Sequence, residues 1–173
     1  MHDTRDYPDA YLKYLEQFHK TRDFFECHEL LEEHWKKHPG DPRGGLWVGL
    51  IQLAVGMYHH RRGNVRGALK MLRGAFRHLS GGDLAVLGID GKKLLSLVHE
   101  RIRKLEIDPA AEYRDLDIPL ADAFLAKFAQ PAADSRSLPP GILHRHKLRD
   151  RTDVVEARRA ALEARKQTDR RGP

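Results

Sequence analysis

The sequence predicts an all-α fold: a compact bundle of five to six helices around a central apolar helix, followed by a basic helical tail. Three observations support this prediction. Apolar residues recur at three- and four-residue intervals through residues 10 to 105. Residues that favour helix N-caps precede these stretches at Asp23, Asn64 and Asp90. One stretch, about residues 44 to 62, is apolar on nearly every side, which is typical of an enclosed helix.

The first two helices are predicted to form a hairpin. Pro8 and Asp9 open the first, which ends near Lys20. Its apolar residues fall at helical spacing: Ala10, Tyr11, Tyr14, Leu15 and Phe18. Asp23 caps a second helix over about residues 24 to 38, and the sequence Pro39 to Pro42 stops it.

The third, fourth and fifth helices continue the bundle. Gly63 and Asn64 end the central third helix and begin the fourth, so these two helices are expected to pack antiparallel. After a glycine-rich loop, Asp90 caps the fifth helix. A short sixth helix is predicted over about residues 120 to 128.

The chain is expected to consist of a bundle domain, residues 1–130, and a linker with a basic C-terminal tail, residues 131–173. Residues 131 to 141 read as linker, and residues 152 to 166 as a polar helix with a thin apolar stripe. The whole-chain charge is +6, yet residues 1 to 135 hold 20 basic and 20 acidic side chains. The excess positive charge therefore lies in the tail, where we expect weak contact with polyanions.

The composition of the chain indicates the cellular compartment in which the protein is expected. No apolar run approaches the roughly 18 to 20 residues that cross a bilayer, and the first residues lack the pattern of a signal peptide. Cys27 is the single cysteine, so neither an internal disulfide nor a cysteine-based zinc site can form. We therefore expect a cytoplasmic protein that does not bind membranes.

The second and third helices carry the residues with the most chemical interest. Helical geometry places His28 and Glu32 together toward the core, and places Gln52 and His59 on one strip of the third helix. That strip also holds Gly45, Gly49 and Gly56, so another helix can approach it closely. The pattern predicts a polar pocket between helices two and three.

Three interpretations of this cluster stay open. In one, His28, Glu32 and His59 bind a divalent metal of unknown identity, with Glu29 and Gln52 as catalytic residues nearby. In another, the histidines belong to a structural hydrogen-bond network; in the third, the pocket binds a small molecule without turnover. Cys27 is expected to be a small packing residue rather than a nucleophile.

A basic stripe marks the fourth helix. No carboxylate occurs between Asp41 and Asp83, whereas four basic residues share one face of the helix: Arg66, Lys70, Arg73 and Arg77. Near the helix start this pattern predicts an anion site at Arg61, Arg62, Asn64 and Arg66. The alternative is a solvated face, partly balanced by Glu26, Glu29 and Glu33. No stacking aromatics are interleaved with the stripe, which disfavours nucleic acid.

Three stretches resemble domain-of-unknown-function family 309: Phe25 to Trp35, Gly49 to Val55 and His59 to Ala68. The resemblance covers about residues 10 to 106 and leaves out the tail after about residue 130. It implies a compact helical domain, sometimes labelled a predicted metal-dependent hydrolase. The signature positions it implies are all present: His28, Glu29, Glu32, Trp35, Gln52, His59, Gly63, Asn64 and Gly67.

These features predict two alternative functions. The first is a metal-dependent hydrolase acting on a small molecule through the His/Glu cluster. The alternative is a noncatalytic binding or scaffold domain, in which the His/Glu/Gln network is structural and a basic surface contacts an anionic partner. The sequence does not determine the oligomeric state, and a homo-oligomer is compatible with it.

Overall fold

A computed structural model describes residues 6–130 of the chain. Within that range the fold is all-α, and the only bridge between extended residues joins Ile89 to Leu120. The α-helices are α1 (Asp9–Glu16), α2 (Phe24–Lys37), α3 (Gly44–Arg61), α4 (Val65–Ser80), α5 (Gly91–Ile107) and α6 (Ala126–Ala129). None of the helices in this part of the chain is long and apolar enough to cross a membrane.

The turn between α1 and α2 differs from the prediction. The first helix does not continue to Lys20 as an α-helix, because Gln17–Thr21 forms a π-helical turn. Arg22 then adopts a left-handed conformation with φ of 55°, which reverses the chain. Asp23 caps α2 as predicted, and its side chain accepts a hydrogen bond from the Glu26 amide at 3.1 Å.

Helix α3 is the centre of the core, as the sequence predicted. Its side chains Trp47, Leu50, Leu53 and Met57 are fully buried. It packs against α2 and against α4, while Tyr14 of α1 donates from its hydroxyl to the Leu50 carbonyl at 2.8 Å. A helix that is enclosed from several directions needs apolar residues around its whole circumference.

The N-caps of α4 and α5 are also confirmed. The Asn64 side chain accepts from the Gly67 amide at 3.0 Å, and that of Asp90 accepts from the Lys93 amide at 3.1 Å. Between the two helices, Leu84–Leu87 forms a 3₁₀-helix where the sequence predicted a glycine-rich loop. The predicted short sixth helix is a 3₁₀ turn, Ala123–Leu125, followed by α6.

An irregular segment, residues 108 to 122, returns from α5 to the N-terminal helix. The Ile118 amide donates to Nε2 of His19 at 2.9 Å, and Arg22 donates to the Leu116 carbonyl at 2.9 Å. The Tyr7 hydroxyl donates to Asp122 at 2.7 Å. The first and last parts of the described chain are therefore tied together; the predicted linker and tail helix lie outside the described residues.

Candidate functional site

The His28–Glu32 pair is present on α2. Nε2 of His28 lies 2.6 Å from Oε2 of Glu32, and Nζ of Lys36 lies 2.6 Å from Oε1 of the same carboxylate. Partial burial raises the pKa of Glu32, but the hydrogen bonds from Lys36 and His28 outweigh it, so the pKa lies below its ordinary value. The three side chains form a polar row along successive turns of α2.

This row lies at the edge of the bundle and is not enclosed by it. The side chains of His28 and Glu32 are 27% and 31% exposed, and Trp35 on the next turn is 38% exposed. His28 and Glu32 were expected to point together toward the core, and the structure leaves both side chains partly exposed. Oε1 of Glu29, one of the two predicted catalytic residues, lies 3.6 Å from Nδ1 of His28. Both ring nitrogens of His28 thus face carboxylates of its own helix.

Gln52 faces α4. Nδ1 of His78 donates to Oε1 of Gln52 at 3.0 Å and to the Gly74 carbonyl at 2.9 Å. A Cβ added to Gly74 would lie 2.8 Å from Oε1 of Gln52. The side-chain amide of Gln52 therefore packs closely against the α4 backbone at Gly74. Gln52 therefore bridges α3 to α4, and the prediction that it lines a pocket between α2 and α3 is wrong.

His59 is paired at the corner between α3 and α4. Nδ2 of the Asn64 side chain lies 3.3 Å from Nδ1 of His59. Burial and the nearby Arg62 charge lower the pKa of His59 below its ordinary value. In residues 6–130 no three His, Cys, Asp or Glu side chains lie close enough together to hold a metal ion. The structure thus joins His28 to Glu32 but does not add His59 to them as a third ligand; a bound metal stays a prediction.

The glycine strip of α3 explains this arrangement. A Cβ on Gly49 would lie 2.7 Å from the Leu79 side chain, and one on Gly56 would lie 2.8 Å from that of Leu72. Both leucines belong to α4, so α4 is the helix that approaches the strip closely. Gln52 and His59 share that strip and are carried toward α4 with it.

The predicted anion site at the start of α4 is not assembled. Arg61 turns inward: its guanidinium lies 4.7 Å from the Phe24 ring centroid and donates to the Arg22 carbonyl at 2.7 Å. Arg62 lies over the Tyr58 ring at 5.2 Å. The Asn64 side chain serves as the N-cap. Of the four predicted residues, Arg66 is the exposed cation at this end of α4.

Arg61 is unusual because part of its charged group has no partner. Its Nε and Nη2 atoms are buried without a hydrogen bond in the described part of the chain. Burial lowers the pKa of Arg61 below its ordinary value, while the nearby Tyr113 and Asp115 act in the opposite direction.

Cys27 is confirmed as a packing residue. It is fully buried, and its Sγ lies 3.6 Å from the Tyr14 carbonyl oxygen. Burial raises the pKa of its thiol well above the ordinary value. A thiolate nucleophile is disfavoured in such a setting.

Two buried histidines were not among the predicted site residues. His19 is 2% exposed and His60 is 4% exposed. His19 donates from Nδ1 to the Leu15 carbonyl at 2.8 Å and accepts at Nε2 from Ile118. His60 lies 3.1 Å from the Ala111 carbonyl through Nε2. Their positions on core-facing turns were a usable signal, but their partners lie in the irregular segment, which has no periodicity.

The fold and these local networks define the chain as a small helical-bundle protein with a half-exposed His/Glu row and buried histidines that fasten an irregular segment. The family model "Domain of unknown function (DUF309)" matches residues 11–71. The chain is also 40% identical over 176 residues to the "Uncharacterized protein YpuF" of Bacillus subtilis (strain 168), covering 94% of this chain and 98% of that protein. The chain belongs to the DUF309 family.

These matches adjust the extent of the resemblance. The family model ends at residue 71, short of the residue 106 expected from the motifs. The similarity to the Bacillus subtilis protein covers 94% of the chain, so it extends past residue 130 into the region expected to lie outside it. No solved structure matches the chain.

Proposed function

We propose that this chain is a noncatalytic binding domain that takes an acidic protein partner on the basic face of α4. The basic row consists of Arg66, Lys70, Arg73 and Arg77. The observation that carries the proposal is that Arg66, Lys70 and Arg77 are exposed and form no ion pair with any residue in the range 6–130.

The row is straight and its charge is not neutralised by α2. Intervals of four, three and four residues keep the side chains on one face, over about 16 Å of helix. Of the four residues in the row, Arg73 is the one that forms an ion pair within residues 6–130, with Glu106 of α5 at 2.7 Å. Of the acidic residues on α2 that were expected to balance the row, Glu33 instead pairs with Lys37 of its own helix at 2.6 Å.

An acidic protein surface fits this row better than nucleic acid does. Phe76, the aromatic residue within the row's span, packs toward His99 with ring centroids 6.0 Å apart and is partly buried. It is therefore not presented for stacking on bases. Residues 1 to 135 also carry no net charge, whereas nucleic-acid-binding domains are usually strongly basic.

The noncatalytic part of the proposal is supported by the partners of the signature residues. His28 and Lys36 satisfy Glu32, His78 satisfies Gln52, and Asn64 contacts His59. Each polar group is used locally, which is the behaviour of a structural network. In addition, Gln52 and His59 connect α3 to α4 or to its cap, where such contacts fix helix register.

The proposal is tested with two triple variants of the full chain that each remove three positive charges. The row variant carries Arg66→Gln, Lys70→Gln and Arg77→Gln. The control variant carries Lys13→Gln, Lys36→Gln and Lys37→Gln, all exposed lysines on other helices. Anisotropy of a labelled polyglutamate peptide and of a labelled DNA duplex is measured with each protein at about 50 and 200 mM NaCl.

The expected result is that the row variant loses most of its affinity for the peptide and the control variant keeps it. Equal losses would mean that net charge alone drives binding, and the proposed surface would be wrong. A row-dependent affinity that is greater for the duplex than for the peptide would replace the acidic protein with nucleic acid as the partner.

The metal-dependent hydrolase stays a prediction, and metal content separates it from the proposal. Elemental analysis of purified full-length protein and of His28→Ala is the measurement. Stoichiometric metal that is lost in the variant would establish a metal site at His28 and contradict a purely structural network. If the network is structural, the variant should instead be less stable by about 1 to 3 kcal/mol, because Glu32 loses a partner.

A further inference from the structure

A groove of about 510 Å³ lies between α5 and residues 114 to 119 of the irregular segment. On the α5 side it is lined by Lys93, Leu97, Arg101 and Lys104. Arg114 and Pro119 belong to the opposite wall. The volume falls within the range of roughly 300 to 1,000 Å³ that small-molecule sites occupy. It is separate from the basic row of α4.

Arg101 is a half-buried cation in this groove, and within residues 6–130 it has no carboxylate partner. Its Nη1 donates to Nδ1 of His60 at 3.2 Å, and its guanidinium lies 5.8 Å from the Tyr113 ring centroid. Desolvation lowers the pKa of Arg101 below its ordinary value, although Tyr113 and Asp115 act in the opposite direction. The guanidinium is thus partly removed from water without a direct ion pair in residues 6–130.

His60 holds this guanidinium in place without neutralising it. The Ala111 carbonyl can only accept, so Nε2 of His60 carries the proton and donates across 3.1 Å. Nδ1 is therefore the acceptor that faces Arg101. Burial is the main reason that the pKa of His60 is lowered, which keeps the ring neutral near pH 7. Within residues 6–130 no hydrogen bond uses the other guanidinium nitrogens of Arg101, so they are left for a ligand.

The carboxylates around the groove are mostly occupied by another arginine. Arg22 lies 3.5 Å from Asp115 through Nε and 2.6 Å from Asp117 through Nη2. Asp115 also accepts from the Tyr113 hydroxyl at 2.6 Å. Glu100 is the third carboxylate of the lining and is exposed. With Arg22 counted, five cations face three carboxylates, so the groove has an excess of positive charge.

We propose that this groove binds a small organic phosphate, with Arg101 donating to the phosphate oxygens. A planar guanidinium held at one edge presents its remaining N–H groups as a fork, which matches phosphate geometry. Lys93, Lys104 and Arg114 supply further positive charge for a dianion. Leu97 and Pro119 offer apolar surface to the organic part of the ligand.

The test is a titration of the full chain with phenyl phosphate, followed by amide chemical shifts at constant ionic strength in chloride. Saturable shifts are expected at residues 97 to 104 and 114 to 119. Arg101→Gln should raise the dissociation constant by about tenfold or more, the effect of losing charge-assisted hydrogen bonds. Arg103→Gln is the matched control, because Arg103 is exposed on the same helix and does not line the groove.

Equal weakening by Arg103→Gln, or shifts that do not saturate, would overturn the proposal. Binding of benzoate as tightly as phenyl phosphate would overturn the assignment to phosphate. If Arg101→Gln loses its helical circular dichroism, Lys104→Gln replaces it, since Lys104 is exposed. That variant should weaken phenyl phosphate binding by about threefold, the size of a partly screened charge contact; unchanged affinity would refute the site. None of these results depends on polyglutamate binding to α4.

Discussion

Replacement of His19 tests whether a buried, neutral imidazole fastens the irregular segment to the N-terminal helix. The ring donates to the Leu15 carbonyl at 2.8 Å and accepts the Ile118 amide at 2.9 Å. In His19→Ala the buried Ile118 amide loses its acceptor, which costs about 1 to 3 kcal/mol, and the lost ring leaves a cavity. We expect a total destabilisation of roughly 2 to 4 kcal/mol.

The same site predicts a pH dependence. Burial lowers the pKa of His19, with Asp117 opposing this effect and Arg22 adding to it. The unfolded chain therefore takes up the proton first as the pH falls below about 6.5, its ordinary value. The contribution of His19 to stability is complete above that pH and is lost as the pH falls toward the folded pKa. The slope reaches about 1.4 kcal/mol per pH unit.

The assay is urea unfolding at pH 7.5 and 5.5, followed by circular dichroism at 222 nm. His19→Gln is the informative variant, because its side-chain oxygen can accept from Ile118 but does not titrate. Its stability deficit relative to the unmodified protein should shrink by up to about 1.4 kcal/mol at the lower pH. Since His34, His59 and His60 also have lowered pKa values, this difference isolates His19. An unchanged deficit would refute the reasoning.

Two further predictions concern packing and domain limits. Gly56→Ala should be less stable in urea than Gly45→Ala by about 1 to 3 kcal/mol, because only the former overpacks the contact with α4. Its Cβ would meet Leu72 at 2.8 Å, whereas nothing lies within 4 Å of a Cβ on Gly45. Equal stabilities would contradict the close contact of α3 with α4. Residues 1–130 expressed alone should melt cooperatively near the full-length midpoint in calorimetry; a molten fragment would show that the remaining residues are needed for folding.

The helices were predictable because their signals are local. Asp23, Asn64 and Asp90 each accept from a backbone amide in the first turn of the helix that follows. Such a contact spans three residues, so the sequence contains all of it. The π-helical turn before Arg22 was not predictable, since neither composition nor residue spacing separates it from an α-helical end.

The candidate site was harder to predict because a helical angle fixes a direction only around its own axis. His28 and Glu32 share α2, and their contact follows from a spacing of four residues. Gln52 and His59 share a strip of α3, as expected, but α3 is apolar on most sides. Nothing in that pattern says whether α2 or α4 covers the strip. The structure places α4 there.

The return of the irregular segment also has a consequence for how the chain folds. Most packing joins helices that follow one another, and such local contacts form quickly. The contacts of Tyr7 with Asp122, His19 with Ile118 and Arg22 with Asp117 instead span 115, 99 and 95 residues. Closing a loop of this length costs more chain entropy than pairing two helices that are adjacent in sequence. We therefore expect the segment to dock after the helices have assembled, so that its contacts, formed after the transition state, mainly slow unfolding.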